Sequence, residues 1–297
     1  KMTTATGFNA IAGQQHPIRL LKTLIGNGTL PHALLFTGDA GVGKRLTAMA
    51  LAKACNCRAL KSSLDRRLPP DAIDACGTCG PCRKIEGNHH PDIIHVAPHP
   101  SVIRIAQIRD LLQALTRKPN EADRRVVILS EAQAMNPEAG NALLKILEEP
   151  PDRTLIVLTA HQASDLLPTV VSRCQQLRFA PLNERDLVRL LRADGDLEPE
   201  TAAAVAALCG GSYTRARTLV DKRWLGRREW VMQAMQGLLT SPPAGGLRSW
   251  LALSEMLAKQ RDLVEETLAI MTMWLRDLLV IRIDPQRVLG RDRLEAL

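Results

Sequence analysis

"GDAGVGKRL" (residues 38–46) places Gly38, Gly43 and Lys44 at the spacing G-x-x-x-x-G-K. An apolar run, "HALLFT" (32–37), precedes it, and Leu46, Met49, Ala50 and Ala54 follow at helical spacing. A strand that turns through such a loop into a helix wraps backbone N–H groups and the helix N-terminus around a phosphate chain, with the Lys reaching the outer phosphates. Gly38, Gly41, Gly43, Lys44 and Arg45 are therefore the candidate nucleotide-binding residues. A plain glycine turn is the alternative, and the strand and helix on either side disfavour it. In working loops of this kind a Ser or Thr follows the Lys and ligates Mg²⁺. Here Arg45 stands in that place.

Three more unbroken apolar runs follow, at "DIIHV" (92–96), "RVVIL" (125–129) and "TLIVLT" (154–159). Short β-branched or Leu-rich runs without alternation suit strands buried on both faces of a parallel sheet. Ile105, Ile108, Leu111, Leu112 and Leu115 mark a helix between two of them. Strand and helix alternate, which predicts a doubly wound α/β domain. After "RVVIL", Asn136 can cap a helix, Pro137 suits its first position, and Pro150 with Pro151 ends it behind "NALLKILEE" (141–149). From Pro181 onward no strand-like run remains. Short helices are expected at 184–192 and 199–208, closed by Gly210 and Gly211, as a small helical domain. A third helical set is expected around 227–239, 246–258 and 261–283, with "SPPAGG" (241–246) as a break.

Composition narrows the possible functions. At 297 residues and 45% apolar content the chain can bury a substantial core in two or three domains. No apolar run reaches the ~18 residues of a membrane span, and "KMTTATGFNAIAG" (1–13) lacks the apolar centre of a signal peptide. A soluble, cytoplasmic protein is expected. Lys1, ahead of Met2, reads as an addition to the natural start, and the natural chain is expected to continue past Leu297. The net charge of +8 favours an acidic partner such as nucleic acid, although the basic residues are spread along the whole chain. Aromatics are only 3%, and all four Trp (Trp224, Trp230, Trp250, Trp274) lie in the C-terminal third. That argues against a base-stacking platform and marks them as expected core anchors.

The second magnesium-holding position is altered as well. An Asp is expected after "RVVIL", where the chain reads "SEAQ" (130–133), so Ser130 takes its place and Glu131 remains. With both positions changed, any bound nucleotide is not expected to be turned over efficiently. The seven Cys, in a chain without a secretion signal, point to metal before disulfides. Cys76, Cys79 and Cys82 in "CGTCGPC" (76–82) sit among helix breakers, Gly77, Gly80 and Pro81, which predicts a tight knuckle aiming three thiolates at one zinc ion. A fourth ligand is available from Cys55 or Cys57 upstream or His89 or His90 downstream, and spacing does not choose among them. A redox switch or free thiols are the other readings. Zinc with every ligand supplied by protein would be structural. "SRC" (172–174) alone signals nothing beyond a solvated or ion-paired Arg173.

Taken in order, "GQQHPIRLLKTLIGNGTLPHALLFTGDAGVGK" (13–44), the Cys knuckle, "RVVILSEAQAMNPEAGNALLKILEEPP" (125–151) and "VVSRCQQLRF" (170–179) closely resemble the clamp-loader ATPases of bacterial DNA polymerase III, over about residues 8–216. The resemblance implies an AAA+ domain with an inserted zinc module to about residue 181, a small helical lid to about 222 and a helical collar over 223–297. It separates hydrolysing gamma/tau types, which carry "GKT" or "GKS", "DE" and a sensor Arg in "GSxR", from the delta-prime type. Here those places read Lys44-Arg45, Ser130-Glu131 and "GSYT" (211–214), with Thr214 at the sensor position and Arg215 beside it. All three match the delta-prime type.

By the same resemblance the first zinc ligand falls thirteen residues after Lys44, on Cys57, leaving Cys55 as a packing residue, although the insertion between Cys57 and Cys76 is longer than usual. Arg173 is implied to reach a neighbouring subunit's ATP site as a catalytic finger in trans. The implied partners are gamma/tau and delta subunits in a heteropentamer, and through them the sliding clamp and primed DNA. The implied cofactors are structural zinc and, at the altered loop, ATP or ADP. A true ATPase motor is the alternative, against which Arg45 and Ser130 count. A zinc-dependent DNA-binding module is a further one, with only Arg83 and Lys84 near the knuckle to serve it.

Overall fold

Unbroken apolar runs need partners on both faces, and each run read from the sequence forms a strand of one sheet. The computed structural model describes residues 7–64, 68–195, 197–220, 222–240 and 264–284, with four single positions between 251 and 258. The chain divides into two compact units, Lys1–Asp186 and Leu187–Leu297.

In the first unit α1 (Gln15–Gly26) leads to β1 (Ala33–Thr37), α2 (Lys44–Asn56), α3 (Arg58–Leu64) and α4 (Gly80–Glu86). Then come β2 (Ile93–Val96), α5 (Ile105–Leu115), β3 (Arg125–Leu129), α6 (Pro137–Glu148), β4 (Thr154–Ala160), α7 (Pro168–Val171) and β5 (Gln175–Arg178). All pairings are parallel, in the order β2-β3-β4-β1-β5. Strand order reverses around β1, and open parallel sheets bind ligands off the carboxyl ends of their strands at such a point. Residues 38–43 leave the sheet there.

Alternate residues of each strand serve opposite faces. Leu34, Phe36, Val126, Ile128, Leu155 and Val157 pack toward α1 and α2 in one cluster that also takes in Ile73, Cys82 and Ile85. Ala33, Leu35, Val127, Leu129, Ile156 and Leu158 pack against Leu111, Leu143 and Ile146 of α5 and α6 in the other. The Asn136 side chain caps α6 by accepting from the Ala139 N–H at 3.1 Å, and Pro137 opens the helix. β5 is a strand that the hydrophobic pattern does not reveal. Its sequence is polar, and among its four residues only Leu177 is buried.

The second unit is helical among the described residues. It carries α8 (Glu184–Asp194), which begins at the end of the first unit, then α9 (Pro199–Leu208), α10 (Tyr213–Val220), α11 (Lys222–Thr240) and α12 (Val264–Val280). The Tyr213 hydroxyl donates to Asp194, which also pairs with Arg217 at 3.3 Å. α11 packs on α12, burying Val231, Met235, Ile270, Met273 and Trp274. Trp274 is thus a core anchor as expected, whereas Trp230 is not. It is 39% exposed, because it stands on the outer side of α11. The side chains of Trp224 and Trp250, the "SPPAGG" break and most of the helix read at 246–258 lie outside the described residues. Among the described residues no helix is long and apolar enough to cross a membrane.

One buried carboxylate ties the sheet to the loop ahead of β3. Asp92, fully buried, accepts from the N–H groups of Asn120, Glu121 and Ala122 at 2.8, 2.8 and 2.9 Å, and Arg125 lies 3.6 Å away. Burial pushes its pKa up, but the three N–H donors and the guanidinium outweigh that and hold it below the usual carboxylate value. Asp92→Asn leaves donors facing an amide, so we expect a loss of about 2–4 kcal/mol in urea unfolding at pH 7. A pKa lowered by folding stabilises above the ordinary carboxylate value and ceases to do so as pH falls through the lowered one. The gap between wild type and variant should therefore close below about pH 4.

Candidate functional site

The loop that leaves β1 is held open by glycine. Gly38, Gly41 and Gly43 have φ of 143, 76 and 101°, and a Cβ on Gly38 would collide with the Phe179 carbonyl oxygen. α2 starts at Lys44 with no side-chain cap, so its first N–H groups face the loop. Backbone donors, positive φ and a Lys at the helix start together fit a phosphate chain. Lys44 Nζ donates back to the carbonyls of Gly38 and Asp39, the latter at 2.7 Å. Burial lowers its pKa, with Asp39 and Glu131 pulling it back upward.

The positions that would hold Mg²⁺ do not fit that ion. Arg45 is exposed and, among the described residues, has no carboxylate partner within ion-pair distance. Ser130 follows β3, its N–H donating to the Val96 carbonyl at 2.8 Å, and offers no carboxylate. Glu131 keeps one but stands in a left-handed turn at φ 54°.

One brace of this loop and two side chains on neighbouring strands carry no signal in the sequence. Gln14, 1% exposed, donates from Nε2 to the carbonyls of Val42 and Ala180 at 3.0 and 2.7 Å and accepts from the Ala180 N–H. It ties the loop to the end of β5. Thr159 Oγ1 accepts from the Glu131 N–H at 3.1 Å. His95, on β2 opposite Ile128, has both ring nitrogens shielded from solvent and without a hydrogen-bond partner. Burial first, and the Arg45 charge second, lower its pKa and keep it neutral.

Cys57, Cys76, Cys79 and Cys82 come together, with their Sγ atoms all within 4.8 Å of one another. Zinc bound at about 2.3 Å to each of four sulfurs needs S–S separations of about 3.8 Å, so the cluster is compatible with a zinc site. The knuckle differs from the sequence reading in one respect. Gly80 and Pro81 do not break a helix but open one, α4, whose first turn carries Cys82 inward. Proline lacks an N–H that the first turn would leave unpaired anyway, so it starts helices well. Of the other candidates for a fourth ligand, His90 is engaged elsewhere, its Nδ1 accepting from the Asp92 N–H at 3.2 Å. Cys55 lies outside the cluster and packs beside the core, where burial pushes its thiol up to about 11.

N–H groups of Leu60 and Cys76 reach the Cys57 sulfur at 3.4 Å, and that of Cys79 reaches Cys76 at 3.3 Å. Burial nonetheless raises Cys57 and Cys82. At Cys76 burial also pushes upward, but the Cys79 N–H and Thr78 prevail and bring it to about 6. The knuckle is also joined to the segment ahead of α1. Asp74 accepts from the N–H groups of Phe8 at 2.8 Å and Asn9 at 2.9 Å.

Arg173 follows α7 and is engaged within the chain. It pairs with Glu148 at 2.6 Å and donates to the Thr169 carbonyl at 2.9 Å. None of its partners belongs to the loop.

The family described as "DNA polymerase III, delta subunit" matches residues 13–183, more than half of the chain. The chain belongs to this family. It is 37% identical over 223 residues to DNA polymerase III subunit delta' of Pseudomonas aeruginosa, covering 74% of this chain and 65% of that one. Identity to subunit delta' of Bacillus subtilis is 36%, covering 65% of this chain and 55% of that one. Subunit tau of Escherichia coli is 30% identical, covering 72% of this chain and 32% of that one. This chain thus spans less than two thirds of the length of these relatives. A RuvB mutant from Thermotoga maritima shares the fold, with a TM-score of 0.50 at 14% identity, covering 85% of this chain and 74% of that one.

Because zinc binds thiolates, loading must displace the remaining thiol protons. We expect about one zinc per chain by elemental analysis, falling as pH drops from 8 to 5. Cys82→Ser should lower the zinc content and loosen the knuckle, while Cys55→Ser should leave it unchanged.

Proposed function

We propose that this chain is a delta-prime stator of a DNA polymerase III clamp loader. It hydrolyses ATP poorly or not at all, and it supplies Arg173 in trans to the ATP site of a gamma/tau neighbour. The observation that carries the reading is a pairing of opposites. Both magnesium-holding positions are altered, at Arg45 and Ser130, while Arg173 is kept on an ordered turn by Glu148. A chain that cannot turn ATP over can still complete its neighbour's site. Higher identity to the two delta' subunits than to tau supports the same assignment.

In this reading residues 1–181 form the AAA+ domain, 182–222 the lid and 223–297 part of the collar, through which the chain assembles with gamma/tau and delta subunits. The assembly opens the sliding clamp and places it on primed DNA. Structural zinc at Cys57, Cys76, Cys79 and Cys82 fixes the knuckle. Glu148 and the Thr169 carbonyl hold the Arg173 guanidinium in the free chain. On assembly the guanidinium exchanges that carboxylate for the transferring phosphoryl group, whose charge its planar fork can bind at two points.

The test is DNA-stimulated ATP turnover by the complex rebuilt from this chain with gamma/tau and delta subunits, clamp and primed DNA. Arg173→Ala should lower turnover severalfold while gel filtration shows unchanged assembly, and Arg173→Lys should not restore it, because an ammonium lacks the fork. Unchanged turnover with Arg173→Ala would overturn the trans role. Robust turnover by this chain alone would overturn the stator role.

A further inference from the structure

The altered loop retains the glycines, the lysine and the uncapped helix start that suit a phosphate chain, and lacks what holds the metal. Gly38, Gly41 and Gly43 keep their left-handed turns, Lys44 stands at the start of α2, and the helix start is uncapped by any side chain. Arg45, one residue further, brings a second full positive charge to the same turn, exposed and without a carboxylate partner among the described residues. The carboxylates that act on Lys44 are Asp39 and Glu131. Neither is paired to Arg45. His95 adds two shielded ring nitrogens that lack a partner, on the sheet face that α2 covers and within electrostatic reach of the Arg45 guanidinium.

We propose that this loop binds the metal-free form of a nucleoside di- or triphosphate, with Arg45 neutralising the phosphates in place of a divalent ion. The proposal rests on the non-hydrolysing reading above and extends it to the form of ligand the loop selects. Guanidinium and phosphate match as fork and fork, so Arg45 can take two oxygens at once where a Ser or Thr hydroxyl would have taken a metal. His95, kept neutral by burial and by the Arg45 charge, adds no third cation to the site. A magnesium complex of the same nucleotide is disfavoured twice. It carries less negative charge for Lys44 and Arg45 to bind, and its hydrated dication is pressed against a guanidinium with no Asp at position 130 to receive it. The loop therefore acts as a static clamp, since the ion that would polarise the phosphoryl group for transfer is excluded from it.

The experiment is titration calorimetry of the whole chain with ADP and with ATP, in EDTA and again in excess Mg²⁺. We expect binding in EDTA that weakens on adding Mg²⁺. Arg45→Thr should bind metal-free nucleotide about tenfold or more weakly and should lose the inhibition by Mg²⁺. Arg45→Lys, which keeps the charge without the fork, should fall between the two. Circular dichroism and thermal melting report whether each variant is folded. Tighter binding of wild type with Mg²⁺, equal metal-free binding by Arg45→Thr, or no binding in either buffer would overturn the proposal. None of these outcomes touches the trans role of Arg173, which is read from turnover in the assembly.

Discussion

β1 can turn into the loop at residues 38–43 because position 38 has no side chain. The Phe179 carbonyl oxygen occupies the space a Cβ would need, and φ at Gly38 is 143°. Phe179 is itself fixed, its ring 5.0 Å from that of Phe36 on β1 and its N–H bonded to the Thr37 carbonyl at 2.7 Å. The same contact therefore seats the chain end beyond β5 against β1 and sets the direction in which the loop leaves the sheet. Gln14 closes the arrangement by bonding both strands of backbone, at Val42 and at Ala180. Loop, helix start and flanking strand form one rigid unit whatever chemistry the loop retains.

The knuckle belongs to that unit by contact. Ile73, Cys82 and Ile85 enter the same buried cluster as Phe8, Val42 and Leu51. Asp74 fixes the backbone of Phe8 and Asn9, and a few residues on Gln14 braces the loop. Salt bridges repeat the attachment, Lys53 with Glu86 at 3.0 Å in the interior and Lys84 with Glu121 at 2.6 Å on the surface. The exposed Lys84 pair adds little stability, while Lys53, almost fully buried, must keep its partner. Among the described residues the module turns Ile73, Cys82 and Ile85 onto the sheet, so an ion held by the four sulfurs would serve folding.

Much of this was legible in the sequence because burial on both faces leaves a strong signal. The strands at 33–37, 93–96, 125–129 and 154–160 are unbroken apolar runs, and Asn136 with Pro137 marks a helix start that depends on neighbouring residues alone. β5 was not legible, since an edge strand reading Gln-Gln-Leu-Arg buries one side chain and looks like a loop. Three of the clustered sulfurs could be read from their spacing. The fourth could not, because Cys57 meets Cys76 through the fold, and His90, equally plausible in sequence, is turned to a backbone N–H. Glycine and proline misled at positions 80 and 81, where the residues that end helices also begin one. Glu148 as the partner of Arg173, and His95 near Arg45, are products of tertiary packing that no local pattern records.

The knuckle also decides where this chain can change length. Cys57 and Cys76 are nineteen positions apart, yet the N–H of one reaches the sulfur of the other. Both ends of the intervening segment are thus pinned to the same cluster, and closing a flexible loop costs only about 0.6 kcal/mol more each time its length doubles. Residues can accumulate between the pins while Ile73 and Asp74 keep their places beside the second. This makes the segment a tolerant site for natural insertions, and a practical one for grafting a reporter peptide without moving the sheet.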